Sequence, residues 1–178
     1  MRWEESVLAM LDDLELQAEG LHLAERAIEV DELSVAQYAE VELVARLHAS
    51  VGDALRVGTI DGLELRGRLA GAGADWMLLD DGCGAWVVHL PAVAVVGGLA
   101  RHSVPVEARA FSARLSMRSV LRGLADEARS CALHLTGGRT LHGTLDRIGA
   151  DFVELRQRDD GDPVTVPLSA VAVVQGSS

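Results

Sequence analysis

Lysine and asparagine are absent from this 178-residue chain, and aromatic residues are scarce, with three Trp, two Phe and one Tyr. Every one of the 16 basic residues is therefore arginine, a bias that GC-rich codons explain without any appeal to recognition chemistry. The two cysteines, Cys83 and Cys131, lie 48 residues apart with no Cys-x-x-Cys and no Cys/His companion at metal spacing. That removes zinc-ribbon and thioredoxin-like readings and leaves reduced thiols as the expectation. No run approaches 18 apolar residues, and the start Met1-Arg2-Trp3-Glu4-Glu5 has neither the basic nor the apolar part of a leader. No membrane association and a cytoplasmic location are expected. Positive charge is short as well. Against 27 acids the arginines leave a net charge of −11, so a polyanion is repelled unless a local basic patch exists.

What is present is unevenly distributed. Residues 1–50 carry −9, 51–100 carry −3, 101–130 carry +3 and 131–178 carry −2, which marks four segments. The first, 1–50, has no proline and one glycine, Gly20, and is rich in Ala, Leu and Glu, the composition of stable helix. Trp3, Val7, Leu8, Leu11 and Leu14 recur at three- and four-residue steps and form one stripe. This acidic helical head reads as one helix or as two broken at Gly20, with its acids on a solvated face or as a docking surface for a basic partner.

From Val51 the hydrophobic period changes to two and the chain repeats itself. Gly62-Leu-Glu-Leu-Arg-Gly67-Arg-Leu69 is matched 76 residues later by Gly138-Arg-Thr-Leu-His-Gly143-Thr-Leu145. Gly73-Ala-Asp75-Trp76 likewise matches Gly149-Ala-Asp151-Phe152. After a two-residue change in loop length, Val88 to Val96 matches Val166 to Val174, both ending Ala-Val-Ala-Val-Val. The register predicts five strands per copy, in the first at roughly 54–60, 64–71, 75–80, 85–90 and 94–97. Five short, bent strands are expected to curl shut, giving an α+β fold: the helical head, then two five-stranded small β-barrels (51–100 and 131–178) joined by a linker with a basic helix (101–130).

These motifs, Leu-x-Gly-x-Leu, a glycine turn, Asp, an apolar strand and a short turn before a valine strand, resemble the Sm-like, SH3-like small barrel in two copies over about half of the chain. The chain as a whole resembles a group of proteins from high-GC bacteria with an acidic helical head and two such barrels, some of which carry a Fis-type regulator label. The Sm-like resemblance implies RNA binding and a regulatory role. The Asn that such proteins place after the third-strand apolar pair has no counterpart in a chain without Asn, so no binding residue carries over.

Comparison of the copies separates faces. Met77 and Leu79 match Val153 and Leu155 and are expected inside, whereas Leu78 matches Glu154, which places Trp76 and Phe152 on the opposite, outer face. Trp86, matched by Val164, is expected in the core. An outward aromatic in both copies is either covered by helix or a platform for a base or a partner. In the linker, Arg114, Arg118 and Arg122 fall at i, i+4 and i+8, a basic stripe that either pairs with the acidic head or contacts phosphate or a partner protein. The repeated glycines Gly67 and Gly143 mark barrel corners, and Asp75 and Asp151 mark turns.

Catalytic signals are lacking. No paired carboxylates, nucleophile with base, phosphate loop or metal spacing stands out, and His134 and His142, flanking Gly137-Gly138, fall on opposite faces if the turn has two residues. The expectation is a non-catalytic interaction, scaffold or regulatory protein without cofactor, metal or evident small-molecule substrate. The helical head would dimerise or dock, and the barrels would present strand edges and the outer Trp76/Phe152 face to a protein partner or a second copy, in an oligomer; the alternative is an RNA-binding regulator. Trp76, Phe152, Arg114, Arg118 and Arg122 are the candidate interaction residues.

Overall fold

The computed structural model describes residues 38–39, 41–104, 111–128, 130–157 and 162–176. Most of the acidic head lies outside them. The chain divides into Met1–Val41 and Glu42–Ser178, and among the described residues every strand belongs to the second unit. Its first element is a seven-residue helix, α1 (Leu43–Ala49), whose Ala45 and Leu47 are buried.

The first copy of the repeat forms β1 (Ala54–Thr59), β2 (Glu64–Ala72), β3 (Trp76–Asp80), β4 (Ala85–His89) and β5 (Val93–Gly97). The second forms β6 (Ser130–Leu135), β7 (Thr140–Ile148), β8 (Phe152–Gln157), β9 (Val164–Pro167) and β10 (Val171–Gly176). A short 3-10 turn precedes the last strand of each, Leu90–Ala92 and Leu168–Ala170. The strands sit where the period-two reading puts them, to within a residue or two.

Their assembly differs from the expectation of two five-stranded barrels joined by a helix. A single antiparallel sheet of ten strands runs β5-β1-β2-β3-β4-β10-β6-β7-β8-β9. Within a copy the fourth and fifth strands do not pair. Instead β4 of the first copy pairs with β10, the fifth strand of the second, through Val88↔Val173, Val87↔Val174 and Trp86↔Gln175. An unpaired edge is as well satisfied by another copy as by closure, and here another copy supplies the partner. Nor is the linker helix a spacer. A 3-10 turn, Phe111–Arg114, leads into α2 (Met117–Asp126), which packs on β7 of the second copy, as α1 packs on β2 of the first.

The copies share local devices. Each opens with a three-residue hairpin loop closed by Thr59 N to Leu63 O at 3.0 Å or Leu135 N to Arg139 O at 2.8 Å. Gly62 and Gly138 take the left-handed position at φ +89° and +78°, which glycine adopts without steric cost. The second loop therefore has three residues where the sequence suggested two. His134 pairs with Thr140 and Ala132 with His142, so the two imidazoles share a face. Both copies also carry a β-bulge at the same place, between Leu69 and Gly71 and between Leu145 and Arg147.

Gly67 and Gly143 pack against the neighbouring strand's backbone rather than serving only as bends. A Cβ on Gly67 would lie 2.7 Å from the Asp80 carbonyl oxygen, and one on Gly143 would overlap that of Arg156. By contrast, a Cβ on Gly71 meets nothing within 4 Å. Gly67→Ala is therefore expected to lower the unfolding free energy by about 1–3 kcal/mol through backbone displacement, with Gly71→Ala shifting it by no more than about 0.5 kcal/mol, as read from urea denaturation midpoints.

Candidate functional site: the joint between the copies and the edges it leaves open

Two hydrophobic cores form, and each borrows from the other copy. The first, built on Leu55, Val57, Leu69, Met77, Leu79 and Val88, takes in Ala172 and Val173 of β10. The second, built on Leu121, Leu133, Leu145, Val153 and Leu155, takes in Trp76 and Val87 of the first copy. Neighbours on β4 thus face different cores, Val87 one and Val88 the other, as side-chain alternation requires. On β10 a register shift between Val171 and Val173 lets Ala172 and Val173 both serve the first core, with Val171 and Val174 in the second. All four are at 0% exposure.

A polar chain crosses the same joint. His89 of β4 is buried, and its Nδ1 stands 3.1 Å from the Val171 carbonyl oxygen of β10. A carbonyl only accepts, so Nδ1 carries the hydrogen and Nε2 is left facing Asp75 Oδ2 at 3.9 Å. The other carboxylate oxygen of Asp75 accepts the Met117 amide at 2.6 Å, capping α2 at its first residue. Beside it, Trp76 Nε1 donates to the Leu115 carbonyl oxygen at 2.8 Å, and the Ala74 amide donates to the same atom at 3.0 Å. The turn before β3 thus receives the start of the second copy's helix. His89 and Asp75 stand beside each other without a hydrogen bond, His89 bonded to β10 and Asp75 to the start of α2.

Trp76 is consequently no open platform. It lies on the face opposite Met77, as the copy comparison requires, but the second copy covers it to 8% exposure. Phe152 is half-buried, its ring lying where a Cβ on Gly149 would be, just as the Trp76 ring lies over Gly73. Trp86 is half-buried rather than fully in the core. Its Nε1 donates to Asp81 Oδ2 at 2.9 Å, and its ring stands 5.8 Å from that of His134 across the joint. That indole donor, with the Cys83 and Gly84 amides, holds the Asp81 carboxyl below the usual carboxylate value. Burial pushes the Cys131 thiol up to about 11, which makes it a poor nucleophile at neutral pH.

Of the arginine stripe, Arg114 and Arg122 are exposed and Arg118 is half-buried. None of the three forms an ion pair among the described residues. The acidic head expected to pair with them falls outside those residues. The structure therefore does not bring the stripe, Trp76 and Phe152 into one site. Among the described residues, no group of three or more His, Cys, Asp or Glu gathers at metal distance, and no helix is long and apolar enough to cross a membrane.

Strand edges were expected to face partners without the sequence saying which, and among the described residues the sheet's outer strands are β5 and β9. On β5, Val95 is 59% exposed, although its counterpart Val173 is completely buried. Beside it a groove of about 160 Å³ is lined by Arg56, Gly58, Glu64, Arg66, Val95 and Gly97. At the other end β9 presents Thr165, also exposed. The signal was available in the repeat: two identical Ala-Val-Ala-Val-Val runs need two covers, and one ten-stranded sheet supplies one. The chain matches no protein-family model and no curated protein.

Asp75→Ala is expected to cost about 0.5–2 kcal/mol in urea denaturation, the usual range for a lost helix cap. The same variant should lose the hydrogen-exchange protection of the Met117 amide, which the carboxylate accepts.

Proposed function

We propose that this is a non-catalytic interaction protein of the cytoplasm, a scaffold or regulatory component that binds protein partners through the open strand edges of its sheet. The observation that carries the reading is the unequal fate of one repeated sequence. Val93 to Val96 forms an edge strand with Ala94 and Val95 exposed, whereas Val171 to Val174 is wholly buried between strands. An edge strand offers unpaired N–H and C=O groups in a row, and an exposed valine there adds apolar surface, the two components of strand-addition recognition. The groove beside it, with two arginines and one glutamate, adds polar selectivity. The residues that look most like chemistry, His89 and Asp75, are part of the framework.

A second reading, RNA binding by a regulator, is favoured by the exposed Arg114 and Arg122 on the helical linker, which pair with no acid among the described residues. The expected single stripe is interrupted, with Arg118 and Arg122 on α2 and Arg114 on the preceding 3-10 turn, and the three together contribute a salt-dependent phosphate term of at most three charges. Set against a net charge of −11, that is a weak electrostatic route.

The two readings separate in one pair of measurements. A photo-crosslinking residue at position 95, in the full chain in cells, is expected to give a discrete protein adduct. Fluorescence anisotropy with RNA and DNA is expected to show binding no tighter than about 10 µM at about 150 mM salt, the non-specific range. Tighter RNA binding with a steep salt slope, abolished in Arg114→Ala/Arg118→Ala/Arg122→Ala, would overturn the scaffold reading in favour of the second.

A further inference from the structure

We propose that the groove beside β5 is a binding site for a small acidic amino acid, with Arg56 and Arg66 taking its two carboxylates and Glu64 its ammonium. The site lies where the two copies share a framework and differ in what they hang on it. Arg56↔Arg66 and Gly58↔Glu64 in the first copy occupy the places of Ala132↔His142 and His134↔Thr140 in the second, and Val95 and Gly97 those of Val173 and Gln175. In the second copy that surface is filled. Trp86 comes across the joint opposite Gln175, and its ring stands 5.8 Å from that of His134. In the first copy glycine stands in place of both His134 and Gln175, and arginine in place of Ala132 and His142, so the same surface is hollowed and charged.

Gly58 keeps the hollow open. A Cβ there would lie 2.8 Å from Val95 Cγ1 and 3.2 Å from Glu64 Oε1, inside the space between them. A Cβ on Gly97 would meet Nε and Nη2 of Arg56 at 3.7 Å, so the Arg56 guanidinium lies against Gly97 at the rim. Arg56 and Arg66 stand directly opposite each other, where like charges repel, and among the described residues neither pairs with an acid. An anion between them relieves that repulsion, and each guanidinium presents a fork that fits a carboxylate. Glu64, on the same face of β2, sets the rest of the ligand, since it repels a phosphate dianion and attracts an ammonium. Two guanidiniums and one carboxylate complement a molecule with two carboxylates and one ammonium. Its methylenes would lie along Val95, which is 59% exposed. At about 160 Å³ the groove is smaller than the roughly 300–1,000 Å³ of sites for drug-sized ligands, as a molecule of this size requires. The site needs no partner strand and so does not rest on the interaction reading.

The test is a titration of the full chain with L-glutamate, followed by backbone amide NMR shifts at neutral pH and constant ionic strength. Saturable shifts centred on Arg56, Arg66, Val95 and Gly97 are expected, with a Kd of about 1 mM for a ligand of about ten non-hydrogen atoms. Glutarate, which has both carboxylates and no ammonium, and inorganic phosphate are each expected to bind at least about tenfold more weakly. Arg56→Gln and Arg66→Gln, both at exposed positions and checked by melting temperature, are expected to weaken glutamate binding by about tenfold or more. Glu64→Gln is expected to turn the preference round, with glutarate bound more tightly than by the wild type and glutamate more weakly. The absence of saturable shifts at these amides through about 20 mM glutamate overturns the proposal. So does glutarate or phosphate binding as tightly as glutamate to the wild type, or any of the three variants binding glutamate as the wild type does.

Discussion

The pairing of β4 with β10 is the constraint on which the rest of the sheet depends. Each copy has five strands of four to nine residues, and the core of each is completed by residues of the other. Val87 enters the second core while Val88 stays in the first, and Val173 crosses in the opposite direction. A fully buried valine contributes about 1.5–3 kcal/mol relative to one left in water, so this exchange is a large part of what a marginally stable fold has to work with. Breaking the pairing would expose parts of both cores at once, and the two copies are therefore expected to unfold together.

Two polar contacts at the joint, His89 with the Val171 carbonyl and the Met117 amide with Asp75, add direction to it. Hydrophobic burial alone tolerates sliding, and a strand shifted by one residue turns every side chain to the other face. A histidine on β4 bonded to a backbone carbonyl on β10 helps fix the register of the joint, while the carboxylate on the β3 turn, 3.9 Å from the imidazole, separately caps α2. The second copy has Pro167 in place of His89 and an exposed Asp151, so the same turn there lacks that tie. The copies have diverged where one faces a neighbour inside the molecule and the other does not.

Local structure was legible in the sequence, and assembly was not. Strand positions, the repeat and the inward Met77, Leu79, Val153 and Leu155 all followed from alternation and copy comparison, because those signals act within a few residues. The sheet order did not, because alternation says which face a residue takes and is silent on which edge meets which. Closure of each copy and exchange between copies use the same strands with the same patterns. Trp76 shows the same limit from the other side: its face was readable, but what covers that face comes from residues 115–121, some 40 positions away. The His134 and His142 pairing turned on a single loop residue, since Gly138 in the left-handed region lengthens the turn by one and reverses the relative facing of everything beyond it.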